Sequence, residues 1–278
     1  MTTAREIPSE QAALLAAIIA NPDEDTPRLV YADWLQENGD EKQAQFIRDC
    51  VSMDWLTDYE DDKRERIAKR INHTADHHGS RWLEEIGVVG ADPAYDRGMV
   101  DGVVYSGFHT FLADAPALFA RVPVRELAIQ GLGAYEETDS PDALVQLAAM
   151  PELGRLRTLH LSNRGWPVPS EGWEQFITSP HLVQLQILSV QAAGLTDENM
   201  LMFNQCSHLA NLEVLDLGGN NLTATGALTV LRSAHLQNLT RFRLAGNTIV
   251  EDRRRGSAFL ALRAALIERF DHASGLYE

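Results

Sequence analysis

The chain has 278 residues, with 24 Lys and Arg against 40 Asp and Glu, a net charge of -16, and two cysteines. That length allows one large domain or two smaller ones, and it supports a hydrophobic core without disulfides or a structural metal. Cys50 and Cys206 lie far apart, which excludes a disulfide framework and a cysteine-rich zinc module.

The charge is uneven. Residues 1–62 hold 15 acids and 4 bases, a net of -11, whereas residues 251–278 sum to zero. An acidic field repels nucleic-acid backbones and anionic membranes and favours basic partners or plain solubility. Neither a nucleic acid nor a membrane is therefore an expected partner. No apolar run reaches the ~18–20 residues of a membrane span. Ala12 to Ala20 follows Arg5, Glu6 and Glu10 and precedes Asn21-Pro22-Asp23, unlike a secretory leader. The expectation is a mature cytoplasmic N-terminus.

Ser9 is expected to cap a first helix with Leu14, Leu15, Ile18 and Ile19 on one face, stopped by Asn21-Pro22. Thr26-Pro27 reads as a cap followed by proline at the first helical position. This second helix runs to Glu37 and ends at Asn38-Gly39, a left-handed C-terminal signal. A third helix follows Asp40, with Phe46, Ile47, Cys50, Val51 and Trp55 turned inward. A fourth runs from Asp62 through Ile67 and Ile71 to about His77.

The stretch Pro27 to Leu35, with Glu37-Asn38-Gly39-Asp40 and Ala44 to Arg48, is similar to the repeat-companion domain of large bacterial paralogue sets. That domain typically precedes leucine-rich or other repeats. The resemblance spans about Leu14 to Val51, and nine consecutive residues match the core pattern. Arg81-Trp82-Leu83 and Arg97 to Val103 resemble the linker that often follows it. The resemblance implies no enzymatic activity.

Within this module Arg28, Asp33 and Arg48 are either a recognition cluster or an internal Asp–Arg pairing that sets helix angles, with Tyr31 and Trp34 as core. His73 and His77 share a helix face with His78 and Asp76 nearby, a pattern worth testing as a metal site. Thr74 stands where a general-base Glu would be, and no second His or Cys cluster supplies further ligands. A solvated helix end is the preferred reading. No metal and no cofactor is expected.

From about Leu118 the chain repeats itself. The clearest unit is Leu212-Glu213-Val214-Leu215-Asp216-Leu217-Gly218-Gly219-Asn220-Asn221-Leu222, with Gly226, Leu228 and Leu231 behind it. This is the leucine-rich-repeat pattern with a helical second half. Aligned strand pairs are Leu127/Ile129, Leu159/Leu161, Leu188/Val190, Leu215/Leu217 and Phe242/Leu244, spaced by 32, 29, 27 and 27 residues. Alternation sends both members of each pair inward. Asn220 and Asn247 can satisfy backbone groups in the turn leaving the strand. The period resembles the ribonuclease-inhibitor and cysteine-containing subclasses, and Cys206 matches the buried cysteine of the latter, read as core packing. Ala193 replaces the ladder Asn, and Asn163 is offset in a unit whose loop carries Trp166 and Trp173. The final helix, with Phe259, Leu262, Leu266 and Ile267 near one face, is expected to cap the array.

The expected fold class is α/β: a helical repeat-companion domain at 1–78, a connecting segment at 79–117, and a short leucine-rich-repeat solenoid with its capping helix at 118–278. The expected function is a non-catalytic protein–protein interaction module or adaptor, binding a protein partner through the solenoid's concave face. Outward strand positions run from acidic to basic, and His160, Asp216, Arg241, Arg243, Gln191 and Trp166 are the candidate contacts. No triad, metal cluster or phosphate loop assembles there; Gly131-Leu132-Gly133 is only a fragment of a dinucleotide fingerprint. The alternative is a regulatory accessory subunit of a GTPase or hydrolase, acting through Arg164 or Arg253. Partner identity and oligomeric state stay open.

Overall fold

The computed structural model describes residues 7–56, 61–132, 143–163, 170–249 and 256–270. The fold is mixed α/β, with ten α-helices and seven strands among these residues. The chain divides into two compact units, Met1–Tyr105 with His109–Arg125, and Ser106–Phe108 with Glu126–Glu278.

The first unit opens with α1 (Ser9–Ala20), α2 (Asp25–Glu37) and α3 (Glu41–Asp54). Leu15 and Ile18 of α1 meet Tyr31, Ala32 and Leu35 of α2 and Ala44, Ile47 and Val51 of α3 in one core, with Met99. The caps differ from expectation. Pro8 precedes α1 without a side-chain cap, so Ser9 is its first residue, and Glu24 rather than Thr26 flanks α2. Pro27 still falls in the first turn, where its missing N–H has no helical partner to lose. The α2–α3 turn follows the sequence signal: Gly39 takes φ +90°, and the Asp40 carboxylate accepts from the Gln43 N–H at 3.0 Å.

Phe46, Cys50 and Trp82 form a second cluster beside α4 (Asp61–Glu85), with Tyr95 packed against it. Trp55, expected inside, is 67% exposed. Helix α3 ends at Asp54 and Trp55 is its C-cap, so Trp55 stands at the end of the helical stripe that its spacing continues. Helix α4 continues past His77, because Trp82 and Leu83 anchor two further turns in the core. Gly79 makes that packing possible, since a Cβ there would stand 2.7 Å from the Tyr95 hydroxyl.

Residues 79–117 include the end of α4, the hairpin of β1 (Ala91–Asp96) and β2 (Met99–Tyr105), and most of α5 (Phe108–Arg121). The strands are antiparallel and joined by Arg97-Gly98, both with positive φ, 46° and 77°. Two successive left-handed residues match the right-handed twist of a tight hairpin. Gly98 is required twice over, because a Cβ would also lie 2.5 Å from the Ile47 Cα. Asp114 of α5 is buried, and its Oδ2 accepts from the N–H groups of Val89 and Gly90 at 2.9 and 2.8 Å and from the Tyr105 hydroxyl at 3.2 Å.

The second unit holds five parallel strands, β3 (Glu126–Ile129), β4 (Thr158–Ser162), β5 (Ile187–Gln191), β6 (Val214–Asp216) and β7 (Arg241–Arg243). Helices α6 (Ala143–Ala148), α7 (Ser170–Ile177), α8 (Asp197–Met200) and α9 (Ala224–Leu231) alternate with them, and α10 (Ser257–Phe270) follows. Leu127 pairs with Leu159, Leu159 with Leu188, Leu188 with Leu215, and Leu215 with Phe242, the register expected from the leucine spacing. The inward pairs are all buried, Leu127/Ile129 through Phe242/Leu244.

Asparagines stitch the turns. Asn220 Oδ1 accepts from the N–H groups of Ala193 and Leu195, and its Nδ2 donates to the carbonyls of Val190 and Leu217. Asn247 repeats the device, accepting from Leu222 and donating to Leu217 and Leu244. These bonds satisfy backbone groups that a buried turn would otherwise leave orphaned. On α10, Phe259, Leu262 and Leu266 are buried, but Ile267, expected beside them, is 43% exposed. One step beyond Leu266 carries it off the buried stripe. The Arg269 guanidinium, its pKa lowered by burial, ties this helix to the carbonyls of Leu231 and Leu236.

Candidate functional site

Alternation along the five parallel strands sends every second side chain to the face opposite the leucines. The register arranges these into rows. One row reads Ala128, His160, Ser189, Asp216, Arg243; its neighbour reads Glu126, Thr158, Ile187, Val214, Arg241. Three of the expected contact residues, His160, Asp216 and Arg243, therefore lie in a single row, and Arg241 lies in the next.

Asp216 organises the basic end of this face. Its side chain is only 12% exposed. Oδ1 accepts from the Gly218 N–H at 2.9 Å, and Oδ2 accepts from Gln191 Nε2 at 2.9 Å. Arg243 Nη1 stands 3.9 Å from the same oxygen. Gln191 is thus fixed from the neighbouring strand by a hydrogen bond, and Arg243 lies within ion-pair range of the same carboxylate. Arg241 is exposed, and among the described residues its guanidinium has no bonded partner. At the other end His160 Nε2 lies 3.7 Å from the Glu126 carboxylate, both side chains well exposed. Trp166 and the arginines at 164 and 253–255 lie outside the described residues.

Histidine, serine and aspartate adjoin in one row, but in the wrong order for nucleophilic catalysis. A triad needs the imidazole between hydroxyl and carboxylate. Here Ser189 is the middle residue and is buried, while Asp216 is occupied by Gln191, Gly218 and Arg243. The row is a polar surface with an internal brace.

The helical module holds a charged knot that sequence reasoning missed. Arg125 Nε donates to Asp101 at 2.5 Å, Nη1 to Asp23 at 2.6 Å, and Nη2 to Asp96 at 2.9 Å. Burial alone would lower the Arg125 pKa; the bonds and charges of Asp101 and Asp23 outweigh it, and the net shift is upward. Arg97 reaches the carbonyls of Asp23 and Pro22 at 2.6 and 3.2 Å. Arg28 is fully buried and donates to the carbonyls of Glu24 and Pro22 at 2.6 and 2.5 Å. Arg28 therefore does not join Asp33, which pairs with Arg48 at 2.7 Å near the surface. The expected cluster splits into a buried loop anchor and an exposed ion pair.

Both cysteines are buried, Cys50 with its thiol pKa pushed up to about 12 by burial and by Asp49, and Cys206 to about 12 by burial. Neither is poised as a thiolate. Among the described residues no three His, Cys, Asp or Glu side chains converge as a metal site, and no helix is long and apolar enough to cross a membrane.

Neither a scan against protein-family models nor a search of the curated proteins finds a match to this chain. Its class rests on its architecture, a mixed α/β protein whose parallel strands present a braced polar face.

Proposed function

We propose that the chain is a non-catalytic protein-interaction module, its second unit a short leucine-rich-repeat solenoid and its first carrying a repeat-companion domain over residues 1–78. The shared register of the five inward leucine and phenylalanine positions and the Asn220 and Asn247 bonds support the repeat reading. The observation that carries the binding reading is the brace at Asp216. A side chain held before binding loses less entropy when a partner arrives; Gln191 is held by its hydrogen bond to Asp216, and Arg243 lies within ion-pair range of the same carboxylate.

The charge order favours a particular kind of partner. Strands spaced by about 4.8 Å put Arg241 and Arg243 on β7 roughly 19 Å from Glu126 on β3. An extended segment of about six residues covers that span. Its acidic end would lie over the arginines and its basic end over Glu126 and Glu126's neighbour His160.

The test is affinity purification with the full chain, followed by titration of the purified partner into wild type and the Arg241→Glu/Arg243→Glu double variant. Charge reversal is expected to weaken binding at least tenfold while thermal unfolding stays unchanged. Equal affinity for the two proteins would remove the strand face from the assignment.

A further inference from the structure

Helix α4 carries two histidines that take no part in the strand face or the core. His73 and His77 are both exposed, one helical turn apart, with ring centroids 4.1 Å apart and planes inclined by 40°. Nδ1 of His77 lies 2.8 Å from the carbonyl oxygen of His73. A carbonyl oxygen can only accept, so Nδ1 carries the proton of that bond. The lone pair of the neutral ring is therefore on Nε2. A backbone carbonyl fixing the tautomer in this way is the usual support of a metal-binding histidine.

The spacing fits a shared ion. With a metal–nitrogen bond of about 2.0–2.1 Å, two imidazoles at right angles on one ion have ring centres about 4.5 Å apart. The rings are within a few tenths of an ångström of that separation, a difference that small side-chain rotations supply. Asp76, in the same turn, adds a carboxylate to balance the charge of a bound cation. His78, the next residue, is turned away to stack on the Trp82 ring, with centroids 5.9 Å apart and planes 29° apart.

We infer that His73 and His77 form a two-imidazole chelate for a borderline divalent transition-metal ion, with water in its remaining positions. Imidazole ligands suit Cu(II), Ni(II) and Zn(II), and the general order of divalent affinities puts Cu(II) first. With no third protein ligand converging among the described residues, the site lacks the closed tetrahedral shell of structural zinc. Bound metal would clamp two turns of α4 just before Trp82 and Leu83 enter the core, and so favour the folded helix.

The full chain, prepared without a histidine tag, is titrated with CuCl2, NiCl2 and ZnCl2, with MgCl2 as the hard-cation control. Wild type is expected to bind Cu(II) most tightly and Mg(II) not at all. His73→Ala and His77→Ala should each weaken Cu(II) binding at least tenfold, and His78→Ala should change it less than twofold. CuCl2 should raise the unfolding temperature of wild type and His78→Ala but not of the other two. His73→Gln and His77→Gln, which keep a helix-compatible polar side chain, should repeat the loss with the metal-free far-UV spectrum unchanged. Cu(II) affinities of wild type and the His73→Gln/His77→Gln double variant within twofold of each other would overturn the site.

Discussion

The thiol of Cys206 donates to the carbonyl oxygen of Ile177, 3.1 Å away, and shares its hydrogen with the carbonyl of Met202 at 3.0 Å. Twenty-seven residues to either side, Ser179 and Ser233 make the equivalent bonds to the carbonyls of Ala148 and Phe203, each at 2.7 Å. The position asks for a small side chain with one hydrogen to donate to the preceding unit. Sulfur is incidental to it.

Cys206→Ser is accordingly expected to change stability by less than about 1 kcal/mol, whereas Cys206→Ala orphans the bond and loses about 1–2 kcal/mol. Urea unfolding of the two variants checks the order. In the folded wild type neither thiol should react with a thiol reagent at pH 8 at a measurable rate until denaturant is added. The sign with pH follows from burial. The folded thiol stays protonated up to about 12, while the unfolded one ionises from about 8.5, so the unfolded state gains as pH rises through that window. Stability should fall there, and less steeply in Cys206→Ser.

Asn220 accepts two backbone N–H groups, whereas Asn247 accepts one. Asn220→Ala leaves two buried donors unpaired and is expected to cost about 3 kcal/mol, with Asn247→Ala costing roughly half as much. Chemical denaturation followed by far-UV circular dichroism measures both. A reversed order would mean that the turns obtain their bonds elsewhere.

Arg125, with a side chain 12% exposed, serves three carboxylates at once. Arg125→Ala should destabilise the helical unit by about 2–4 kcal/mol, since it removes the bonds to Asp23, Asp96 and Asp101 and leaves Asp23 and Asp96 to the longer 3.4 Å contacts of Arg97. Arg125→Lys should recover only part of the loss, because an ammonium cannot reach three acceptors in a planar fork. Arg48→Ala, which removes the exposed pair with Asp33, should stay within about 0.5 kcal/mol.

The tryptophans separate in the same way. Trp82 is 6% exposed and packs on Phe46 with ring centroids 5.2 Å apart, so Trp82→Ala is expected to cost about 3–5 kcal/mol. Trp55→Ser should change stability by no more than about 0.5 kcal/mol. Thermal melts of the two variants decide it.

The amino-acid order by itself determined whatever is local or periodic. Leu-x-Leu alternation and the spacings of 29 and 27 residues placed Leu159, Leu188 and Leu215 opposite one another, because a strand side chain has only two faces to choose between. Asn38-Gly39 and Asp40 set the α2–α3 turn for the same kind of reason, a backbone conformation and a cap available within four residues. The tertiary structure alone decided the rest. Arg125 meets Asp23 across 102 residues of chain, and no periodicity marks such a pair. Asp216 reads as one more outward residue until its neighbours on β5 and β7 close over it as a buried brace. Trp55 has the spacing of a core residue and stays in solvent, since spacing orients a side chain and only a facing element can bury it.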